Sequence, residues 1–174
     1  MAVSWGGNVI TKHAHIGAHD IVNTDYEILP YLFGDLITEN DVIVDVGCGK
    51  GRVINWLLSR KIQNRIIGIE LNPEIAARTK KRLRKFKNVE IISGNILECL
   101  PENGILFYLY NPFDATVMER FKSLLYDKLG STPNLSIIYH NCHHLDCFAN
   151  DPRFIVSDIK IPSIRDRSAL IRLK

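Results

Sequence analysis

Three glycines at alternate positions follow an acid in the run Asp45-Val46-Gly47-Cys48-Gly49-Lys50-Gly51. Glycine adopts positive φ readily and lets a ligand come close to the main chain, so such a loop can seat a polar ligand where bulkier residues would block it. Further polar residues recur after apolar runs, at Glu70, Asn95, Asn111 and His140. A carboxylate such as Glu70 can accept from both hydroxyls of a ribose, each charge-assisted bond contributing roughly 1.5–3 kcal/mol. Asn111 is followed by Pro112 and Phe113, which in its plainest reading is a turn between a strand and a helix. This is chemistry of holding and aligning. His140 is the one candidate in the set for taking up a proton near neutral pH.

The elements that must position these residues follow from hydrophobic pattern. Val42 to Val46 is a β-branched run of the kind that forms a buried parallel strand. Arg52 to about Arg60 follows as a helix whose amino-terminus, with free loop N–H groups, favours an anion. A second strand, Arg65 to Glu70, leads into a helix capped by Asn72 with Pro73 at its first position, running to about Lys85. Val89 to Ser93 is a third strand, ending at Gly94-Asn95, and the crossover to Gly104 has room for a turn of helix. Ile105 to Tyr110 is a fourth strand, Asp114 caps the next helix, and Leu135 to His140 is a fifth strand. Phe154 to Ile161 and Ser168 to Leu173 have the spacing of a hairpin. Upstream, helical periodicity over Tyr26 to Ile37 starts or kinks at Pro30, with Thr24 and Glu27 at capping-box spacing. Residues 1–23 read as an irregular arm whose His13, His15 and His19 are lid or surface residues. The alternation implies an α/β, doubly wound sheet with helices on both faces. Every polar residue named above then falls at a strand's carboxyl end, where open sheets bind ligands.

Two cofactor classes use such a loop. The dinucleotide fingerprint requires glycine at its sixth place, which here is Arg52. The pattern Asp45-x-Gly47-x-Gly49-x-Gly51 instead resembles the first motif of the class I S-adenosylmethionine-dependent methyltransferases. That resemblance covers the chain from Thr24 onward. It implies a mostly parallel, seven-stranded sheet closed by a terminal antiparallel hairpin, as one domain over 24–174. It also implies S-adenosylmethionine as cofactor, held by Asp45, Gly47, Cys48, Gly49, Gly51, Glu70, Leu71, Asn95, Ile96 and Asn111. Glu70 would take the ribose, and Asn95 with the Ile96 N–H the adenine. Asp45 either lies at the ligand's amino-acid end or only caps loop amides. Asn111-Pro112-Phe113 resembles a shortened Asn-Pro-Pro-Tyr/Phe motif of methyltransferases acting on nitrogen. By that resemblance the Asn111 side-chain oxygen and the Pro112 carbonyl orient the target nitrogen, while Phe113 and Tyr26 wall the site. The acceptor would be a protein side chain, a nucleic-acid base or a small amine. An NAD(P)-dependent oxidoreductase and a non-catalytic module built on the cofactor fold are the alternatives.

Size and charge narrow the classes further. With 174 residues, 46% of them hydrophobic, the chain supports one substantial core and not two ordinary domains. A net charge of +3 does not by itself call for nucleic acid. No apolar run is long enough to span a membrane, and the first residues lack the apolar stretch of a signal peptide. Four cysteines without a secretory signal are expected to be reduced thiols, so the expectation is a soluble cytoplasmic protein. The stretch Arg78 to Lys87 carries seven cations in ten positions. They form either a solvated helix face or a contact for nucleic acid or protein. His140, Cys142, His143, His144 and Cys147 can be drawn as zinc ligands, but no second pair at finger spacing follows, and no metal site is assigned. Cys142 and Cys147 read instead as small buried residues.

Overall fold

Seven apolar runs become the strands of one sheet: β1 (Ile43–Val46), β2 (Ile66–Glu70), β3 (Val89–Ser93), β4 (Leu106–Tyr110), β5 (Ser136–His140), β6 (Phe154–Ile159) and β7 (Ser168–Leu173). The structure is a computed structural model that describes residues 24–162 and 164–174. The expected arm over 1–23, with His13, His15 and His19, lies outside the described residues. Strand order is β3-β2-β1-β4-β5-β7-β6. The first five strands are mutually parallel, and β7 runs antiparallel to both β5 and β6. The chain therefore moves outward from β1 to β3, then returns to lay β4 on the other side of β1. At that reversal the loops after β1 and β4 lie side by side, which is where an open sheet offers a crevice.

Because strand side chains alternate, the sheet carries two apolar layers. On one face Val44, Ile69, Phe107 and Ile137 pack with Met118, Phe121 and Leu125 of α5 (Ala115–Leu129). On the other, Ile43, Ile66, Tyr108 and Ile138 pack with α1 (Leu29–Phe33), α2 (Arg52–Ser59) and α3 (Pro73–Leu83). Gly68 is opposite Asp45 in register. A Cβ there would sit 2.8 Å from Cys48 Sγ, Ile54 Cδ1 and Ile91 Cδ1, so the glycine is what lets α2 and the loop settle onto the sheet.

Two elements differ from the sequence reading. The helix expected across Tyr26 to Ile37 shrinks to α1, with Pro30 in its first turn and Gly34 (φ +42°) just after it. Thr24 does not cap it, because its hydroxyl is buried in a 2.6 Å hydrogen bond with Tyr108 Oη. The two last strands pair as expected, with β7 inserted antiparallel between β5 and β6 as the resemblance implies. Short helices α4 (Ile96–Cys99) and α6 (Asp146–Ala149) fill the β3–β4 and β5–β6 connections; only the first was expected. Among the described residues no helix is long and apolar enough to cross a membrane.

Candidate functional site

Gly47, Gly49 and Gly51 all have positive φ, at +76°, +51° and +68°. At Gly51, the residue preceding α2, an added Cβ would also come within 3.1 Å of Thr79 Cγ2 and 3.3 Å of Leu83 Cδ1. Backbone conformation and space both require glycine there. The expectation of free loop N–H groups is corrected by their partners. Gly47 and Cys48 N–H both donate to the Ile69 carbonyl at 2.9 Å, and Gly51 N–H donates to the Cys48 carbonyl at 2.7 Å. Gly49 N–H donates to Glu70 Oε2 at 2.9 Å. From α3, the Thr79 hydroxyl donates to the Gly49 carbonyl at 2.8 Å, and the Arg82 guanidinium donates to the Lys50 carbonyl. The loop's amides lash it to β2 because the chain folds over the end of that strand as it leaves β1. What it offers a ligand is bare glycine surface.

Two buried carboxylates flank this surface. Glu70 is a fastener as well as a ligand candidate: besides Gly49, its Oε1 accepts from the Asn72 N–H at 2.8 Å. A carboxylate has about four acceptor positions, so these bonds are compatible with a ribose. Asp45 is 3% exposed, and its Oδ2 has no hydrogen-bond partner. Burial, and secondarily the charge of Glu70, raise its pKa to about 7. A buried carboxylate oxygen left without a donor costs free energy in an empty protein and fits a ligand bearing an ammonium group. Asn95 caps α4, its Oδ1 accepting from Leu97 N–H at 3.0 Å. The adenine-facing role expected of that oxygen is therefore shared with helix capping. The Ile96 side chain is buried at 3% exposure, and Leu71 is half-buried.

The turn after β4 lies against the glycine loop: a Cβ on Gly47 would be 3.7 Å from Pro112 Cβ. Asn111 is buried at φ +37°, a conformation asparagine tolerates better than most residues. Its Oδ1 accepts from the Tyr139 hydroxyl at 3.0 Å, and its Nδ2 lies 3.4 Å from His143 Nδ1. Tyr139 Oη in turn accepts from the His144 N–H at 3.3 Å. Phe113 corrects the sequence reading. With one proline instead of two, the aromatic arrives a place early and turns into the core, 5.8 Å from the Phe121 ring centroid and 8% exposed. Tyr26 does lie beside the loop's helix, its ring 4.7 Å from the Arg52 guanidinium, which also donates to the Thr24 carbonyl at 3.1 Å.

His140 is buried against Tyr110, ring centroids 4.6 Å apart, with Nδ1 2.8 Å from Ser168 Oγ. Burial lowers its pKa, and the charges of Asp166 and Asp25 oppose that shift. The five His and Cys residues from 140 to 147 scatter. His143 faces Asn111, Cys142 Sγ donates to the Arg167 carbonyl at 3.3 Å, and no metal-holding group of three forms among the described residues. Sequence reading missed Tyr139, Arg52 and Ser168 as supports. Tyr139 sits inside an apolar strand run, and only the pairing of β4 with β5 brings it to Asn111.

An open sheet with this strand order, a reversed strand beside β5 and a glycine loop at the switch point defines the class I methyltransferase fold. Residues 43–126 match the family model described as a methyltransferase domain. A stretch of 67 residues is 37% identical to a probable cobalt-precorrin-6B C(15)-methyltransferase (decarboxylating) of Methanobrevibacter smithii, covering 37% of this chain and 35% of that protein. The chain thus spans about a third of the length of that curated relative. By fold it is similar to an RNA methyltransferase from Salinibacter ruber crystallised with S-adenosyl-L-homocysteine (TM-score 0.66, 20% identity, 87% of this chain and 92% of that one). It is likewise similar to a precorrin 8W decarboxylase from Methanobacterium thermoautotrophicum (TM-score 0.61, 21% identity, 88% and 92%). In fold, and over residues 43–126 in sequence, the chain is similar to the class I S-adenosylmethionine-dependent methyltransferases.

Proposed function

We propose that this protein binds S-adenosylmethionine in the crevice between the β1 and β4 loops and transfers its methyl group to a nitrogen. The observation that carries the reading is the unpartnered, buried Asp45 Oδ2 beneath a three-glycine loop that abuts Pro112. Asp45 receives the ammonium end of the cofactor, Glu70 the ribose, and the Asn95–Ile96 corner the adenine, with Leu71 and Cys48 shaping the loop ends. When bound, the cofactor supplies an electrophilic methyl on a sulfonium. The protein's contribution is alignment and exclusion of water. Asn111 and the Pro112 carbonyl hold the acceptor's lone pair in line. Tyr139 fixes the Asn111 amide by donating to its oxygen, which has a second acceptor position for the substrate. His140 is the residue available to take up the acceptor's proton.

A carbon acceptor is the second reading. It is favoured by the precorrin C(15)-methyltransferase relative and by the bond from Tyr139 that already occupies one side of Asn111 Oδ1. Calorimetry with S-adenosylhomocysteine should give micromolar binding, with none for NADH; the reverse would sink the methyltransferase reading and revive the oxidoreductase. Transfer of a ¹³C-labelled methyl, followed by NMR of the product, decides between nitrogen and carbon.

A further inference from the structure

We infer that α3 and the turn after it form a docking groove for a nucleic-acid strand, gripped through its phosphodiester backbone beside the cofactor loop. Arg78, Lys81, Arg82, Arg84 and Lys85 line a groove of about 460 Å³ on the outer side of this helix. Arg78, Lys81, Arg84 and Lys85 are exposed and Arg82 is half-buried. Arg78, Lys81, Arg82 and Lys85 follow one another at i, i+3, i+4 and i+7. They therefore form a stripe whose members are about 5–6 Å apart, a spacing that can follow successive phosphates of an extended strand. Lys80 and Lys87 extend the charge, and Glu74, paired with Arg78 at 3.7 Å, is the one acid within α3.

The helix dipole favours Lys80, Lys81 and Arg82 in the last turn of α3, but the repulsion among so many like charges offsets that gain. Within α3, Arg78 and Arg82 are like charges four apart, an arrangement that weakens a helix, and Lys80/Arg84 and Lys81/Lys85 carry the same spacing into the turn after it. The other long helix, α5, is composed differently: it intersperses Glu119 and Asp127 with Arg120, Lys122 and Lys128. A polyanion on the groove would relieve the repulsion in α3. A membrane surface fits less well, since interfacial helices pair their cations with exposed apolar side chains that insert. Among the described residues the exposed large hydrophobics are Tyr31, Tyr126 and Ile155, none of them on α3, and the half-buried Phe86 ring lies 5.0 Å from the Lys85 ammonium. The bond from Arg82 to the Lys50 carbonyl joins the groove to the glycine loop. The inference rests on the methyltransferase reading only for the purpose of docking.

The test is fluorescence anisotropy of the full chain with labelled U20 RNA and dT20 DNA, without cofactor, across a salt series. Both oligonucleotides should bind within about threefold of each other, with a log–log salt slope of about −2 to −3 for three or four neutralised phosphates. The triple variant Lys81→Glu, Arg84→Glu, Lys85→Glu should bind at least about tenfold more weakly with a shallower slope, while S-adenosylhomocysteine affinity stays at the wild-type value and the variant still melts cooperatively. A variant that binds U20 with the wild-type slope overturns the inference, as does wild-type protein that binds phosphatidylserine vesicles but neither oligonucleotide. Failure of cofactor binding with oligonucleotide binding intact would instead fault the methyltransferase reading alone.

Discussion

The two halves of the crevice are built by different means. On the β1–β2 side, the loop is held by its own main chain: its amides close onto the Ile69 and Cys48 carbonyls and the Glu70 carboxylate, and its carbonyls accept from the Thr79 and Arg82 side chains. On the β4–β5 side, a single turn is held by side chains, with Asn111 between Tyr139 and His143, and His140 between Tyr110 and Ser168. A cofactor of fixed shape suits a rigid cradle whose form depends on glycine. The β4–β5 side can be retuned by exchanging one hydroxyl or one imidazole, the kind of local change by which one fold carries different functions.

The sharpest way to break this contrast is at Asp45. Asp45→Asn should weaken S-adenosylhomocysteine binding about 10–100-fold, the loss of one or two charge-assisted bonds. The same change should raise the melting temperature of the free protein. The carboxyl's folded-state pKa, about 7, lies above its ordinary 3.8. Its ionisation therefore removes stability as pH rises from about 4 to 7, and the loss is complete above 7. A gain of several degrees at pH 8 that shrinks toward pH 4 is the expected calorimetric result. For the same reason wild-type cofactor affinity should increase between pH 6 and 8, with a proton released on binding below pH 7. Unchanged melting and affinity in Asp45→Asn would remove the cradle from the argument.

Next in size is Gly68→Ala. Its Cβ would meet three side-chain atoms at 2.8 Å, so an overpacking cost of about 1–3 kcal/mol is expected, read as a melting point lower by about 2–10 °C. The smallest effect belongs to the acceptor side. Tyr139→Phe deletes the donor to Asn111 and should cost about 1 kcal/mol of stability and lower kcat several-fold. Cofactor affinity should not move. If it falls in step with kcat, the two sides are not separable.

The cradle was legible in sequence because glycine spacing and an acid after an apolar run are local signals. Strands β3 and β7 and the caps Asn72 and Asp114 also stand as read. The acceptor side was only half legible. Asn111 is visible as a residue, but its partner Tyr139 is 28 positions away and looks like core. The burial of Phe113 depends on where α5 passes. Thr24 looked like a helix cap and proved to be a tether to Tyr108, 84 residues distant; propensity yielded to a tertiary hydrogen bond. Arg52 looked like a mere break in a fingerprint, yet it clamps residues 24–26.

The placement of β7 bears on how the molecule is made. The last of the seven strands in chain order lies inside the sheet, between β5 and β6. While residues 168–173 are still within the ribosome, β5 has an open edge and β6 has no neighbour. A nascent chain can thus complete the β1–β3 side of its crevice well before the β5 side is closed, and in that interval the unpaired margin of β5 is where a chaperone or an unwanted second strand would attach.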